Sequence, residues 1–488
     1  MVFSFKFDDE RLEKLKALRA NGYEPYGGKF DTDSTALRIK GKFETLENKE
    51  VTVAGRIIGR RDHGKIKFFD LMDDSGSIQI YLAENRLDEK SYNLLQYLDV
   101  GDTIGVKGAV IKTRVGEISV QASVVTILSK SLLPLPHRWF GLEDTEKRYR
   151  KRYLDFIMNP ESKEKIKRSS AMVAKVREIL ANRGFTEVIV PVLQPIPGGA
   201  NAKPFVTHYN SLDRDFYLKI ASELYLKRLI IGGFEKVFDI SKNFRNEGVD
   251  TRHNPEFMML ELYQAYGDLS TMLEITEEIV RACIFAANNT HKVEFNGKPV
   301  DFSKFEIRTM EDAVKEKLGL NSEEEIINKG KKADSKVSSY GEAINALFEE
   351  YVSNEIVNPT FITMFPIEVS PLAKSFEKDK RFVYRFELYA CGFELANAFS
   401  ELNDPQEQID RFNEEASRKE KGIDETQEFD RDFIEAMGYG MPPTGGVGIG
   451  IERLQMIGTN SRTIKDVIPF PQLKTIEENQ TGSETEEL

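Results

Sequence analysis

Cysteine is scarce in this chain, and the little there is excludes two classes of protein. Cys283 and Cys391 lie far apart with no CxxC pair, and the five histidines are scattered, so neither a disulfide framework nor a structural zinc module is expected. Long apolar runs are missing too. No stretch of 18 apolar residues occurs, and the opening MVFSFKFDDERLEKLK has no long apolar run, so the expectation is a cytoplasmic protein with no membrane contact. Excess positive charge is also absent: 68 Lys and Arg against 80 Asp and Glu leave a net charge of −12. That argues against a surface coated for non-specific nucleic-acid binding, although Lys147, Arg148, Arg150, Lys151 and Arg152 form a local basic cluster that reads equally as a solvated linker. Finally, there is no Walker A sequence, GxGxxG fingerprint, GxSxG elbow or HExxH pair. If this chain holds ATP, arginines, metal-binding carboxylates and stacked rings must do it.

What is present begins with size: 488 residues, 40% hydrophobic and 30% charged, fit two or three domains with real cores. Residues 9 to 20 read as an amphipathic helix with Leu12, Leu15 and Leu18 near one face. From Val51 to about Leu128, five short β-patterned runs punctuated by DDSG and isolated glycines fit a small Greek-key barrel of the OB type. Pro134 and Pro136 mark a connector. The expected division is residues 1–135 for the helix and barrel, 136–150 for a linker, 151–473 for an α+β domain, and 474–488 for a disordered acidic tail. Within the second domain, 162–183 reads as helix, FTEVIVPVL at 185–193 as a strand stopped by Pro191, 270–350 as a largely helical insertion with an exposed turn at 329–336, and 361–369 and 382–391 as strands.

Three segments carry chemistry. The string FRNEGVDTRHNPEF, 244–257, lies between two alternating runs, Val237–Arg245 and Phe257–Tyr263, which read as an antiparallel pair joined by a loop containing Gly248 and Pro255. One face of the pair is apolar; the other carries Arg245, Glu261 and Tyr263, groups whose burial is costly without a ligand. Arg245 offers a fork for carboxylate or phosphate, and Phe257 a ring for a base. The second segment, RFELYACGFELANAFSELND at 385–404, spaces Glu387, Glu394 and Glu401 by seven residues in an apolar setting. Mg²⁺ takes one or two protein carboxylates plus substrate phosphates, which suits Glu387 and Glu394. Strict alternation puts Glu394 and Glu401 on opposite faces, so a bulge or turn near Gly392 or Asn397 is required if both line one site. The third, GGVGIGIERLQMI at 445–457, is a glycine-dense run opening into a helix, with Arg453 able to reach a phosphate.

The first string closely resembles motif 2 of the class II aminoacyl-tRNA synthetases in the form found in lysyl-tRNA synthetases. The likeness extends from the amino-terminal helix to about Leu473, through RYRKRYLDFIMNPE at 148–161, GFTEVIVPVLQPIPGGA at 184–200, ASELYLKRLIIGGFEKVF at 221–238, FSELNDPQEQIDRF at 399–412 and FIEAMGYGMPPTGGVGIGIER at 433–453. The departures are Phe393, where the family usually has arginine, Ala398 in place of a frequent glycine, and FPQLK without the common Arg-Pro. The long basic extension of eukaryotic members is absent, which points to the bacterial type.

The resemblance implies an α+β fold: an amino-terminal OB-fold β-barrel that reads an anticodon, then an antiparallel catalytic sheet flanked by helices, assembled as a homodimer. It implies a two-step reaction, lysine plus ATP to lysyl-adenylate and pyrophosphate, then transfer to the 3′ end of tRNA(Lys). Carried onto this chain, it makes Arg245 and Arg453 catalytic, with Asn246, Glu247, His253, Asn254, Phe257, Glu387 and Gly450 also at the ATP, and Glu387 and Glu394 holding Mg²⁺. Gly199 and Glu223 fall at the α-ammonium of lysine, Glu401 and Tyr263 at its side-chain ammonium, with Glu261 and Asn397 beside them. Anticodon contacts fall on Arg60, Arg61, Phe68, Gln79 and Glu117. An aspartyl or asparaginyl enzyme would need cationic partners where this pocket is rich in glutamate. A regulatory protein with a dead catalytic domain would have lost Arg245, Arg453 or the glutamates, and all are present.

Overall fold

The computed structural model describes residues 5–136, 142, 144–420 and 429–474. The chain forms two compact units, one reaching residue 143 and the other running from Asp144. From residue 475 on, the expected acidic tail lies outside the described residues. No described helix is long and apolar enough to cross a membrane.

The first unit opens with the helix Asp9–Ala20, whose N-terminal amides are capped by the Asp8 carboxylate accepting from Arg11 N at 2.9 Å. Leu18 is fully buried against the barrel that follows. Five strands make it: β1 (Glu50–His63), β2 (Ile66–Met72), β3 (Ser77–Ala83), β4 (Thr103–Lys112) and β5 (Ile118–Ser129). They close in the order β1-β2-β3-β5-β4, with a parallel β3–β5 pairing. Alternate residues such as Ile78, Ile80 and Leu82 fill the interior, as period-two patterning requires.

The second unit is built on an eight-stranded sheet. Its strands, with those of two smaller sheets, are β6 (Thr186–Glu187), β7 (Leu193–Gln194), β8 (Val206–Tyr209), β9 (Arg214–Leu218), β10 (Lys236–Phe244), β11 (Glu256–Ala265), β12 (Lys292–Phe295), β13 (Lys298–Asp301), β14 (Glu306–Thr309), β15 (Thr360–Pro366), β16 (Phe382–Ala390), β17 (Phe393–Ser400) and β18 (Thr444–Gly450). The order in the large sheet is β14-β15-β16-β17-β18-β11-β10-β6, antiparallel except at its two edges. Helices Pro160–Asn182, Leu269–Asn288 and Ile451–Gly458 cover one face, where Phe238, Ile240, Leu260, Leu262, Phe386, Leu388, Val447 and Ile449 form the main core. The other face carries the polar residues.

Register sets that polar face. Asp239 pairs Glu261, Glu261 pairs Gly448, Gly448 pairs Asn397, and Asn397 pairs Glu387, so one row of polar side chains crosses five adjacent strands. A second row runs Val237, Tyr263, Gly446, Phe399, Arg385. Between β16 and β17 the register slips: Leu388 opposes Ala396 while Tyr389 opposes Glu394, leaving Leu395 as an extra residue. This bulge, between the two positions expected from sequence, brings Glu394 to the face of Glu387, Asn397 and Glu401.

Three expectations change. The strand expected in FTEVIVPVL up to Pro191 pairs only at Thr186–Glu187, and Leu193–Gln194 pairs separately, with β9, beyond the proline, which has no N–H to donate. The 270–350 region is less uniformly helical than its charge suggests. Its first helix, Leu269–Asn288, belongs to the main core, the β12–β13 hairpin follows, and a separate core of Met310, Val314, Ile326, Ile344 and Leu347 joins the later helices. Lys329 to Ala333 close the helix Glu323–Ala333 and are not part of a turn. The basic cluster is also partly structural: Arg148 bonds Asp155 at 2.8 Å, and the buried Arg152 bonds Asp155 at 2.9 Å and the Asp466 carbonyl at 3.0 Å.

The β16–β17 turn places Cys391 and Gly392 at φ 56° and 72°, and a Cβ on Gly392 would lie 2.7 Å from the Asn354 carbonyl oxygen. Gly392→Ala is expected to lower stability by at least about 1 kcal/mol in urea unfolding; an unchanged midpoint would contradict this account of the turn.

Candidate active site

On the polar face of the large sheet lies a cavity of about 350 Å³. Its floor exists because β18 has glycine wherever it faces the cavity. A Cβ on Gly446 would sit 2.3 Å from Glu401 Oε1 and 2.4 Å from the Tyr263 ring, and one on Gly448 would meet Met259 at 3.0 Å. The walls are therefore the side chains of the neighbouring strands: Glu261 and Tyr263 from β11, Asn397 and Phe399 from β17.

One end is anionic. Glu223, at the start of helix Glu223–Ile231, and Glu261 line it. Burial pushes the Glu261 carboxyl up to about 7, although the Ser222 amide donates to it at 2.8 Å. Behind it, the buried Lys219 ammonium binds Asp239 at 2.9 Å and Ser222 Oγ at 3.1 Å. Glu401 packs against Gly446 and does not line this cavity; it lines a neighbouring one with Asn403 and Thr444. Its carboxyl is raised to about 8, by burial first and by Glu223 and Glu261, with Lys227 opposing.

The other end is cationic. Arg245 stacks its guanidinium 5.0 Å above the Phe257 ring, and its buried Nε has no hydrogen-bond partner among the described residues. Burial holds this guanidinium below its ordinary range. Arg453 donates to the Glu394 carbonyl at 2.8 Å and to its carboxylate at 3.3 Å, and lies 3.4 Å from His253 Nε2, whose Nδ1 is 2.9 Å from Asp250. Phe393 carries a guanidinium: Arg252 from the 244–257 loop lies 4.9 Å over its ring.

Of the residues singled out from sequence, Gly199, Glu223, Arg245, Glu247, His253, Asn254, Phe257, Glu261, Tyr263, Glu394, Asn397, Gly450 and Arg453 line this cavity. Asn246, Glu387 and Glu401 do not. The Asn246 amide donates to the Lys203 carbonyl at 2.7 Å. Glu387 is buried between Arg385 and the Tyr389 hydroxyl, which donates at 2.6 Å, and burial pushes its carboxyl up to about 7. Sequence reading missed Lys219, Asp239 and Lys227. The available signal was Lys227 standing four residues after Glu223 in a largely apolar helix, an i,i+4 ion-pair spacing.

On the barrel, Phe68 is half-buried between His63 and Tyr81, at ring distances of 6.1 and 5.5 Å. Arg61 makes a two-point pair with Asp70, and Gln79 accepts from Ser119 Oγ at 2.9 Å. Arg60 donates to the Leu98 carbonyl at 2.6 Å and to Asp62 at 2.9 Å, and Glu117 is exposed.

A polar antiparallel sheet face with paired arginines and buried carboxylates, in a chain that also carries an OB barrel, defines a class II synthetase. The chain belongs to that family: residues 144–474 match the model for tRNA synthetases class II (D, K and N), and residues 51–128 match the OB-fold nucleic acid binding domain. Within it, the relatives are lysine–tRNA ligases. The one from Pelotomaculum thermopropionicum is 49% identical over 475 residues, covering 95% of this chain and 94% of its own. That from Syntrophomonas wolfei is 48% identical over 473 residues, covering 95% and 96%; that from Methanoculleus marisnigri is 46% identical over 495, covering 99% and 97%.

Asp239→Asn would leave the Lys219 ammonium buried without its counter-ion. A loss of about 3–5 kcal/mol in urea unfolding is expected, and a loss below about 1 kcal/mol would mean that Lys219 is not held as an ion.

Proposed function

We propose that this chain is a lysine–tRNA ligase that activates L-lysine with ATP and passes the lysyl group to tRNA(Lys). The observation that carries the reading is the polarity of the cavity. Buried glutamates stand at one end and stacked arginines at the other, matching a substrate with a cationic tail and a carboxylate head that must meet a triphosphate. A site built around an ammonium also rejects neutral analogues, because its polar groups would be left unpaired.

In the first step a lysine carboxylate oxygen attacks the α-phosphorus, the new C–O–P bond forms, and pyrophosphate leaves. Arg245 bridges the carboxylate and the α-phosphate, and its orphaned Nε is free to donate to the charge that develops there. Phe257 and Arg453 hold the adenine between a ring and a guanidinium, with Asn246, Glu247, His253, Asn254 and Gly450 around the nucleotide. Gly199 and Glu223 meet the α-ammonium; Tyr263 and Glu401 meet the side-chain ammonium, with Glu261 and Asn397 beside them. In the second step the terminal ribose hydroxyl of the tRNA attacks the lysyl carbonyl and AMP leaves. Positioning and charge stabilisation suffice, with no covalent enzyme intermediate.

Glu387 and Glu394 fit Mg²⁺, which takes few protein carboxylates and completes its shell with water and phosphate. Both stand on one sheet face, Glu394 presents a partly exposed carboxylate, and the Glu387 carboxyl is raised by burial and by Glu394, a charge conflict that a cation relieves. When bound, the ion would neutralise phosphate charge. A homodimer is supported by the apolar side chains left exposed on and near the small β7–β9–β8 sheet, Ile189, Val192, Leu193, Val206 and Leu212. On the barrel, Phe68 supplies a ring for an unstacked anticodon base, and Arg60, Arg61, Gln79 and Glu117 supply polar contacts. The enzyme is expected to work in the cytoplasm.

Amino-acid-dependent exchange of pyrophosphate into ATP, run with all twenty amino acids, should respond to lysine; no lysine-dependent signal would sink the reading. Phe68→Ala is expected to raise the KM for tRNA at least about tenfold, as loss of one stacked base predicts, while exchange is unchanged. Equal losses in both assays would remove Phe68 from anticodon binding.

A further inference from the structure

One charged side chain at the anionic end has no part in the reaction outlined above. Lys227 is wholly buried, yet its ammonium touches two carboxylates, Glu223 Oε1 at 2.6 Å and Glu401 Oε2 at 2.5 Å, and lies 5.9 Å from the Tyr263 ring centroid. It therefore ties the start of helix Glu223–Ile231 to the residue that follows β17. Neither oxygen of Glu401 accepts a well-directed hydrogen bond among the described residues, and Oε1 lies against Gly446 and the Tyr263 ring. The resident ammonium occupies one oxygen of this carboxylate, and the other is left against Gly446 and Tyr263, two residues that line the cavity.

We propose that Lys227 is a positioning residue for lysine specificity, a built-in ammonium that holds Glu401 by one oxygen so that its second oxygen receives the substrate's side-chain ammonium. This rests on the reading of the site as a lysine pocket and adds to it the residue that makes a buried carboxylate usable. Several groups face the pair. Glu223 shares the helix of Lys227, Glu261 and Tyr263 come from β11, and the Lys219–Asp239 pair stands behind Glu261. One residue along the helix, Arg228 is engaged by Asp430 and Asp432. Burial alone would lower the Lys227 ammonium, but Glu223 and Glu401 hold it above its ordinary value. For Glu401 the signs are reversed: burial, Glu223 and Glu261 raise it, and Lys227 pulls it down. Removing the ammonium leaves only the raising influences. The ionised form of Glu401 then becomes rarer still at neutral pH, and the carboxyl attracts a cation more weakly.

The test is the KM for lysine and for ATP in the exchange assay between pH 6.5 and 9, for the full chain and for Lys227→Met, Lys227→Arg and Glu401→Gln. In Lys227→Met the KM for lysine should rise about tenfold or more near pH 7, the loss of one charge-assisted contact. It should recover toward the unsubstituted value as pH rises, its profile displaced upward by at least about one unit, while the KM for ATP stays within about twofold. Lys227→Arg should keep the neutral-pH value within a few-fold. Glu401→Gln should raise the KM for lysine with no recovery at any pH. If Glu401→Gln behaves so and Lys227→Met shows a pH-independent change or none, Lys227 is a structural ion and the proposal is overturned while the lysine pocket stands. If Glu401→Gln leaves the KM for lysine unchanged, the pocket reading itself fails. If Lys227→Met does not fold while Lys227→Arg does, the ion serves stability and the proposal is likewise overturned.

Discussion

Everything at the active site depends on β18 having no side chains where it faces the cavity. Gly446, Gly448 and Gly450 leave a trough between β11 and β17, and the residues paired across it become its walls. Filling the trough even with a methyl group at Gly446 would drive it into Glu401 and Tyr263. Glycine weakens an isolated strand by entropy and lost packing. Here β18 is paired on both edges and packed below by Val447 and Ile449, so neighbouring structure compensates for the loss.

That geometry creates an electrostatic problem, which two lysines meet. Glu223, Glu261 and Glu401 converge in a volume from which water is largely excluded, and burial drives carboxylates there toward their neutral form. Lys219 pairs with Asp239 behind Glu261, and Lys227 joins Glu223 to Glu401. The balance is local. Glu261 and Glu401 still lie at about 7 and 8, so the pocket's charge remains sensitive to what enters it.

Much of this was legible in the residues. Alternation in 237–245 and 257–263 located the strand that ends just before Arg245 and the one that carries Glu261, and the conflict in side-chain parity between Glu394 and Glu401 required an irregularity that proved to be the bulge at Leu395. Other features were not legible, for physical reasons. The pairing of FTEVIVPVL depends on what lies beside it, since a run of β-branched residues carries no signal of how far its neighbour extends. Lys227 was not singled out, because its two partners lie on separate segments. The i,i+4 spacing reveals Glu223, but nothing local reveals Glu401. Likewise Glu387 read as a free metal ligand because the closure of Arg385 and Tyr389 over it arises from next-but-one neighbours on the same strand face.

The bulge at Leu395 makes the β16–β17 segment behave like a text with a reading frame. On β17 the even-numbered Glu394 stands on the polar face before the bulge, and after it the odd-numbered Asn397 and Phe399 do, with Glu401 following in the same phase. The chemistry is therefore encoded by spacing as much as by identity. A conservative exchange at any one of these positions alters one contact, whereas losing or gaining a single residue between Glu394 and Asn397 would misread the rest of the line at once. This stretch tolerates change of letters better than change of length.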